Sequence, residues 1–473
     1  MTEKSKQEGK RREFPHVFVI LLSIILIVSI LTYIVPAGQY QRVLDAASNR
    51  MVIDPNSFAY IDRTPINLFG MFVSLIEGLI QASNITFLIF SAFSCLYLIE
   101  KTGALDASIS LMVKKTEEKP QYATALMVFI MVVLSVWAST GTMSYEEIVA
   151  FIPVFLVLCL ALGYDALVAL GISLLPVGVG FSSATVNPFS VGVAQTIAEL
   201  PLFSGIGYRI LVLVVMTTMT VIYVLAYANK IKKDPSKSLV KDLDFSDVKI
   251  DEERMKTPLT KERKLSLLIL FVGIFFMAFG LIKLKWYINE IAAIFIIVSI
   301  LVGLVNRWNA NKITGTLVEG LSKGVTSALV VGVARGILVV LTKGNIIDTI
   351  IHAAAGLLNN LSLYASSVGM LVIQNLINFL IPSASGQAAA TMPIMIPIAD
   401  LIGVKRQIAV LTFQFGDGFS NILWPTGFVL IACAMAKVPI NKYYKWILPY
   451  FAICFVLQVA FVLGAVAINY GPF

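Results

Sequence analysis

The residues best suited to chemistry in this sequence are two short polar clusters that interrupt apolar runs, one after Ala138 and one after Pro382. Glycine lets a helix end and the chain reverse, and the freed backbone groups and hydroxyls can ligate a cation or a carboxylate. We therefore predict the tips of two re-entrant helical hairpins that bind a small-molecule solute. The alternative is that these small residues only permit close helix packing. The predicted ligands at the tips are Ser139, Thr140, Gly141, Thr142, Ser383, Ser385, Gly386 and Gln387.

A second pair of polar stretches follows two Gly-x-Gly-Phe sequences, at residues 178–181 and 416–419, and each stretch ends near a proline. We interpret the Gly-x-Gly-Phe sequences as turns. Because proline removes a backbone donor and opens a helix, side chains near these breaks are placed to complete oxygen shells opposite the hairpin tips. The predicted ligands here are Ser182, Thr185, Asn187, Ser420, Asn421 and Thr426.

Ionisable residues within apolar spans are costly to bury and are functional candidates by default. Asp417 lies where the first half has Val179, and such asymmetry suits an asymmetric substrate. We predict that Asp417 holds a substrate ammonium or guanidinium, or a coupling cation; the alternative is an ion pair with Arg335. Arg335 is also a candidate partner for a carboxylate. One of Glu146 and Glu147 is expected to face the site, with Glu146 as the candidate.

The composition indicates a membrane protein. Of 473 residues, 58% are hydrophobic and 14% are charged, whereas soluble domains carry about 25% charged residues. The net charge of +8 comes from cations in the N-terminal tail, one central segment and short loops, which is the pattern of the positive-inside rule. No basic stripe interleaved with aromatic residues supports nucleic-acid binding.

The sequence offers little material for an enzyme or a metal centre. It has two histidines and four cysteines, and the cysteines lie inside apolar runs without metal-ligand spacing. HExxH, P-loop and nucleophile-elbow motifs are absent. We predict no enzyme activity, no cofactor and no metal site.

Apolar runs divide the chain into two halves. Those long enough to span the bilayer at ~20 residues each lie near 17–35, 207–229, 265–283, 288–305 and 446–469, with shorter or interrupted runs between them. We predict an all-α polytopic membrane protein. Its predicted segments are a cytoplasmic tail at 1–14, a first half at 15–229, a charged, solvated cytoplasmic linker at 230–264 and a second half at 265–473.

Short motifs recur in the same order in both halves. Glu77-Gly78-Leu79 returns as Glu319-Gly320-Leu321, 242 positions later, and three other motifs return at separations of 238 to 245. Basic residues before the first run and in the linker place both on the cytoplasmic side. One long run precedes the first repeat and two precede the second, so the halves are predicted to have inverted topology, which is typical of secondary transporters.

Three stretches together are distinctive: Tyr33 to Tyr40 (YIVPAGQY), the two tips at Ser139 to Gly141 and Ser383 to Gly386, and Gly416 to Asn421 (GDGFSN). With these residues the chain resembles the YfcC-type branch of the anaerobic four-carbon dicarboxylate carrier family, within the larger ion-transporter superfamily. The resemblance covers almost the whole chain. It implies a homodimeric elevator-type carrier in the bacterial plasma (inner) membrane, with a fixed scaffold and a moving domain that bears the two hairpins. The Ser-Asn-Thr tips of sodium-coupled relatives are not reproduced here.

From the residues and this resemblance together, we expect a secondary active transporter of small charged organic solutes. Some relatives in this branch are assigned arginine/ornithine exchange, so the leading hypothesis is antiport of basic amino acids, with Asp417 at the cationic end and the tips at the α-carboxylate. The alternative is dicarboxylate transport, with Arg335 as the anion contact. A channel would need a continuous pore in place of paired broken helices.

Overall fold

The computed structural model describes residues 17–45, 50–54, 56–119, 121–141, 143–187, 189–248, 257–284, 286, 288–358 and 361–471. The predicted tail at 1–14 and Thr142 of the first tip lie outside this part of the chain. The described residues are mostly helical, as predicted. Seven of their helices are long and apolar enough to cross a membrane: 83–101, 121–139, 166–183, 206–233, 288–305, 363–380 and 440–467.

The described residues of the first half form nine helices and four short strands. Helix α1 is Val17–Ile34, and the strands that follow it are β1 (Gly38–Gln39), β2 (Arg42–Asp45), β3 (Arg50–Ile53) and β4 (Ala59–Tyr60). The later helices are α2 (Leu68–Gln81), α3 (Ser83–Lys101), α4 (Ala104–Glu118), α5 (Gln121–Ser139), α6 (Tyr145–Ala161), α7 (Ala166–Ser183), α8 (Val191–Ile197) and α9 (Ile206–Lys233).

In the second half, ten helices lie within the part of the chain that the structure describes. Two precede its repeat, α10 (Lys261–Lys283) and α11 (Ile288–Val305). The others are α12 (Ala310–Lys323), α13 (Val325–Lys343), α14 (Ile347–Gly356), α15 (Leu363–Leu380), α16 (Ala384–Ile402), α17 (Arg406–Ser420), α18 (Val429–Met435) and α19 (Ile440–Ala467).

The order of α2 to α9 recurs in α12 to α19, and four of the eight helices in each series also match in length. The first helix of each series has 14 residues, the second 19, the seventh 7 and the eighth 28. Both series also begin with an asparagine N-cap, Asn67 and Asn309, whose side chain accepts a hydrogen bond from a backbone N–H of the first turn. The packing is reciprocal, since α2 packs on α13 and α12 packs on α3.

Helices α7 and α17 form the centre of the molecule. Every residue of α7 is buried, and α7 packs against α5, α6, α9 and α17. Helix α17 lies between α7 and α15 and is buried from Gln407 to Ser420. Both helices end in non-helical segments, so the centre of the fold contains two interrupted helices side by side.

The strands are a difference from the predicted all-α fold. Strand β2 pairs antiparallel with β3, and β1 pairs antiparallel with β4. The chain between α1 and α2, which contains these strands, contacts α14. The Tyr40 amide donates to Asp348 at 3.0 Å, and the Phe58 ring stacks on His352 with ring centroids 4.0 Å apart. Burial, reinforced by the nearby Asp348 charge, raises the pKa of Tyr40 to about 12.

Most of the described residues in the linker between the halves are exposed or half-buried, but the segment is partly helical and two of its apolar residues are buried. Helix α9 extends to Lys233, and a short 3-10 helix follows at Pro235–Lys237. Beyond it, Val240 and Phe245 are buried. The Ser238 hydroxyl donates to Asp165, the N-cap of α7, at 2.7 Å. The linker thus contacts the start of α7 through Ser238.

Candidate functional site

The Gly-x-Gly-Phe sequences are helical, which corrects their interpretation as turns. Gly178 and Gly180 lie in α7, and Gly416 and Gly418 lie in α17. A Cβ atom on Gly180 would lie 2.1 Å from the Ser135 carbonyl oxygen, and one on Gly418 would lie 2.5 Å from the Cα of Ser182. These glycines therefore allow α7 to approach α5 and α17 closely. Asp417 consequently lies inside a helix, shortly before its end.

The first break follows α7 and contacts the first hairpin tip. Ala184 adopts a positive φ of 29°, which ends the helix. The Thr185 hydroxyl donates to the Ser139 carbonyl at 3.2 Å, and the two side-chain hydroxyls are 3.1 Å apart. Asn187 is fully buried, and its Oδ1 accepts from the Phe189 amide at 2.9 Å. Ser182 lies in the last turn of α7, where it donates to the Val179 carbonyl.

The second break joins α17 to α18 and contacts the end of α15. The Thr426 hydroxyl donates to the Phe379 carbonyl at 2.6 Å, and the Trp424 indole donates to the Asn375 carbonyl at 2.7 Å. Each break therefore lies against the hairpin of its own half. That the side chains of the breaks and tips bind a solute together stays a prediction.

The second tip is shorter than predicted. Helix α15 ends at Leu380 and α16 begins at Ala384, so the reversal occupies Ile381 to Ser383. Ser385, Gly386 and Gln387 belong to the first turn of α16. Gln387 is fully buried and donates to the Gln374 carbonyl at 2.8 Å. The small residues after Ser383 form a helix because none of them requires a left-handed backbone.

The first tip carries a capping box at the start of α6. The Glu147 carboxylate accepts from the Ser144 amide at 2.7 Å. The carboxylates of Glu146 and Glu147 both contact the Ser144 hydroxyl. In the turn before it, the Thr140 hydroxyl donates to the Trp137 carbonyl at 2.8 Å, and Gly141 has a φ of 76°. Glycine is required at this position because other residues rarely adopt that backbone.

A cavity of about 250 Å³ lies between the two tips, the second break and the helices α2, α3 and α13. Four of the predicted site residues line it: Glu146, Arg335, Ser383 and Thr426. The polar side chains of Gln81 and Asn84 complete its wall beside the junction of α2 and α3. The cavity thus brings a carboxylate and a guanidinium from different halves of the chain to one space.

Asp417 is not among the residues lining this cavity. It is fully buried, and its Oδ1 accepts from the side-chain Nδ2 of Asn378 at 3.2 Å. Asn378 also accepts from the Ser420 hydroxyl at 2.8 Å. In the described part of the chain no ion pair joins Asp417 to Arg335, and Arg335 Nε has no hydrogen-bond partner. Contact of Asp417 with substrate stays a prediction.

Sequence reasoning missed several residues that build this region. The Tyr145 hydroxyl donates to the Gly418 carbonyl at 2.7 Å, and its ring stacks on Phe428 with centroids 5.3 Å apart, so it ties the first tip to the second break. Asn378 and Gln374 connect α15 to Asp417 and to α16. Amide side chains inside an otherwise apolar span were the available signal, because burying them without partners is costly.

The chain matches the family described as "DcuC: C4-dicarboxylate anaerobic carrier" over residues 14–467. It is 30% identical over 506 residues to an Escherichia coli protein named "Putative basic amino acid antiporter YfcC", covering 98% of both chains. It is 29% identical over 489 residues to a Haemophilus influenzae protein named "Uncharacterized protein", covering 94% of this chain and 95% of that one.

Two solved structures are similar at low identity. One is the YdaH transporter of Alcanivorax borkumensis, with 16% identity, a TM-score of 0.44 and coverage of 97% of this chain and 100% of that one. The other is Neisseria gonorrhoeae MtrF, described with a class of antimetabolite efflux pumps, with 16% identity, a TM-score of 0.43 and coverage of 96% and 95%.

Proposed function

The chain belongs to the C4-dicarboxylate anaerobic carrier family and is a multi-span membrane transporter, and within that class we propose that it exchanges basic amino acids across the bacterial plasma membrane. The observation that carries this proposal is that Glu146 and Arg335 both line one cavity. A basic amino acid carries one carboxylate and an additional cation, and the cavity walls offer one group for each.

Arg335 suits the α-carboxylate of the substrate, because a guanidinium offers two parallel donors to a carboxylate and remains charged. Glu146 suits the side-chain guanidinium or ammonium. Ser383 and Thr426 supply hydroxyls at the same wall. The other predicted ligands around the tips and breaks are proposed to support this arrangement. Two exchanged solutes of equal charge make the cycle electroneutral.

We also propose that the two halves have inverted topology, with the N-terminus in the cytoplasm. The recurring helix lengths and the reciprocal packing of α2 on α13 and α12 on α3 support this. Inverted repeats place the binding site near the midplane between interrupted helices, and access alternates by movement of one unit against the other. An elevator-type movement in a homodimer is the form of this mechanism that the family resemblance favours.

Dicarboxylate transport is the alternative function. It is favoured by the description of the family and by Arg335, whose Nε has no hydrogen-bond partner among the described residues. A dicarboxylate would, however, meet the Glu146 carboxylate in the same cavity. Attraction between the ionised Glu146 carboxylate and a cationic substrate group therefore favours a basic amino acid over a dicarboxylate.

Competitive exchange in proteoliposomes tests the proposal. Vesicles loaded with ornithine should take up labelled arginine, and external arginine should compete while succinate should not. Glu146→Gln should lower arginine exchange by roughly tenfold or more, since it removes an ionic contact in a water-poor site. Glu319→Gln is the matched control, because Glu319 is exposed and accepts from Tyr97 on the helix surface at 3.0 Å.

Two results would count against basic amino acid exchange. Uptake of labelled succinate that arginine does not inhibit would support the alternative function. Arginine exchange that survives Glu146→Gln unchanged would remove Glu146 from the substrate site.

A further inference from the structure

Two amide side chains, Gln81 and Asn84, line the cavity at the junction where α2 ends and α3 begins. Both residues are exposed. In the part of the chain that the structure describes, neither side chain makes a hydrogen bond. An amide within an apolar helix is costly unless it finds a partner, so these two side chains are available to a ligand in the cavity.

The two amides lie on the same wall of the cavity as Arg335. Helix α13, which carries Arg335, packs against both α2 and α3. A Cβ atom on Gly78 would lie 2.5 Å from the backbone nitrogen of Gly336, the residue after Arg335. Gln81 follows Gly78 by about one helical turn. The amides and the guanidinium therefore flank one close helix crossing, whereas Glu146 belongs to the first tip.

The related wall in the other half, 242 positions away, is built differently. Phe93 takes the place of Arg335, and Thr326 takes the place of Asn84. A Cβ atom on Gly324 would lie 2.9 Å from the Phe93 ring, so an aromatic side chain packs closely against this helix junction. Because the same junction forms there without a guanidinium or an amide at these positions, the fold does not need these groups, and a ligand is the better explanation.

A basic amino acid has one charged group that the arrangement proposed above leaves without a partner. Its α-carboxylate is assigned to Arg335 and its side-chain cation to Glu146, which is the one acidic residue among the described residues that line the cavity. The α-ammonium therefore needs neutral acceptors. Because it shares a carbon with the α-carboxylate, those acceptors must lie beside Arg335, as the two amides do.

We propose that the side-chain oxygens of Gln81 and Asn84 bind the α-ammonium of the substrate. An ammonium only donates, and an amide side chain without other hydrogen bonds can turn its oxygen toward it. The inference rests on the proposed exchange of basic amino acids and adds a selectivity to it. The carrier takes α-amino acids and discriminates against guanidino acids that lack the α-ammonium.

Competition in the ornithine-loaded proteoliposomes tests this selectivity. Uptake of labelled arginine at tracer concentration is inhibited with arginine, with δ-guanidinovalerate, which is arginine without its α-ammonium, and with agmatine, which is arginine without its α-carboxylate. In the wild type, δ-guanidinovalerate should compete roughly tenfold or more weakly than arginine, because it leaves both amide oxygens unpaired.

Asn84→Leu and Gln81→Met remove one oxygen each at similar side-chain volume. In either variant, arginine and agmatine should compete roughly tenfold more weakly than in the wild type, since a hydrogen bond to a charged group is lost. Competition by δ-guanidinovalerate should not change, so the discrimination between it and arginine should shrink. This selective pattern identifies the group of the substrate that each residue contacts.

Two further variants serve as references. Asn84→Asp keeps an oxygen at the same position and should retain the preference for arginine over δ-guanidinovalerate, even if Asn84→Leu does not fold. Thr326→Leu is the matched control, because Thr326 is the repeat equivalent of Asn84 and is not among the residues that line the cavity. It should keep the wild-type ratio.

Three results would overturn the assignment while arginine exchange, and with it the proposed function, stands. One is a wild type that does not distinguish arginine from δ-guanidinovalerate. Another is a wild-type ratio that persists in both Asn84→Leu and Gln81→Met. The third is equal weakening of all three competitors in both variants, which would give the amides a structural role. If the wild type exchanges no arginine, the proposed function itself fails and the inference falls with it.

Discussion

Gly78 of α2 and Gly320 of α12, 242 positions apart, make equivalent close contacts with the opposite half of the chain. A Cβ atom on Gly78 would lie 2.5 Å from the Gly336 backbone nitrogen in α13, and one on Gly320 would lie 2.7 Å from the Ser94 Cα in α3. Ser94 and Gly336 are themselves 242 positions apart. A two-fold relation between the halves produces such an exchange of partners, so these contacts support the proposed repeat.

Inverted topology predicts that Lys101 and Lys343 lie on opposite sides of the membrane although they are equivalent in the repeat. Both are exposed at the end of a 19-residue helix. The Thr102 carbonyl, directly after Lys101, accepts from Arg263 Nε at 3.0 Å, and Arg263 lies at the end of the predicted linker. The Lys343 carbonyl accepts from Thr64, in the segment between α1 and α2. We expect Lys101→Cys to react from the cytoplasm and Lys343→Cys from outside.

Labelling of intact cells and inverted vesicles with an impermeant maleimide measures this. The four native cysteines are all buried and free, so the unmodified protein is the control for background labelling. Reaction of both introduced cysteines from the same side would contradict inverted topology.

The membrane helices were predictable because their signals are local. The long apolar runs predicted at 207–229, 288–305 and 446–469 correspond to helices at 206–233, 288–305 and 440–467, and polar clusters mark where the chain reverses. The Gly-x-Gly-Phe sequences were misread because a glycine that permits a turn and one that permits close packing look alike in a sequence. Only the neighbouring helix distinguishes them, as at Gly180.

The composition of the cavity could be predicted only in part. Glu146 and Arg335 were candidates because charges in apolar spans are rare. Gln81 and Asn84 lie next to a helix junction that has no motif, and they reach the cavity through the packing of α2 and α3. The buried linker residues Val240 and Phe245 were missed because the many charges around them indicate solvent exposure.

Substitution of Gly180 should destabilise the centre of the fold. An alanine Cβ would lie 2.1 Å from the Ser135 carbonyl oxygen, and overpacking a closely packed site costs about 1–3 kcal/mol or more. We expect Gly180→Ala to lower the thermal unfolding midpoint and the yield of folded protein. Gly315→Ala is the control, since nothing lies within 4 Å of its Cβ position and alanine favours a helix. Equal midpoints for both variants would contradict the close packing of α5 and α7.

The linker should become more mobile in acid. The Lys442 ammonium donates to Asp242 at 2.6 Å and holds the pKa of this carboxyl below its usual range. Because the pKa of Asp242 is lower in the folded state, its ion pair with Lys442 stabilises the folded protein at pH values above the ordinary aspartate pKa of about 3.9. This stabilisation is lost as the pH falls through the lower pKa of the folded state. A spin label on Ser246→Cys should therefore gain mobility below about pH 4.

Lys442→Met provides the comparison for the linker. Without the ammonium, the label should already be more mobile at neutral pH and should respond less to acid. The same acid response in both proteins would show that another group controls the linker.

Asp165 should stabilise α7 through both oxygens of its carboxylate. Oδ1 accepts from the Leu167 and Val168 amides at 3.0 Å, and Oδ2 accepts from the Tyr227 and Ser238 hydroxyls at 2.7 Å. Asp165→Ala removes the N-cap of a fully buried helix and leaves polar groups unpaired, which should cost roughly 1–3 kcal/mol. The thermal unfolding midpoint should fall accordingly.

Asp165→Asn distinguishes the cap from the charge. Its side-chain oxygen can still accept from the two amides of the first turn, so this variant should retain more of the stability than Asp165→Ala. Because Ser238 belongs to the linker, the alanine variant should also expose the linker to protease more than the asparagine variant does. If alanine and asparagine gave the same midpoint, the amide hydrogen bonds at the start of α7 would not be what stabilises it, and the carboxylate would act only through its charge.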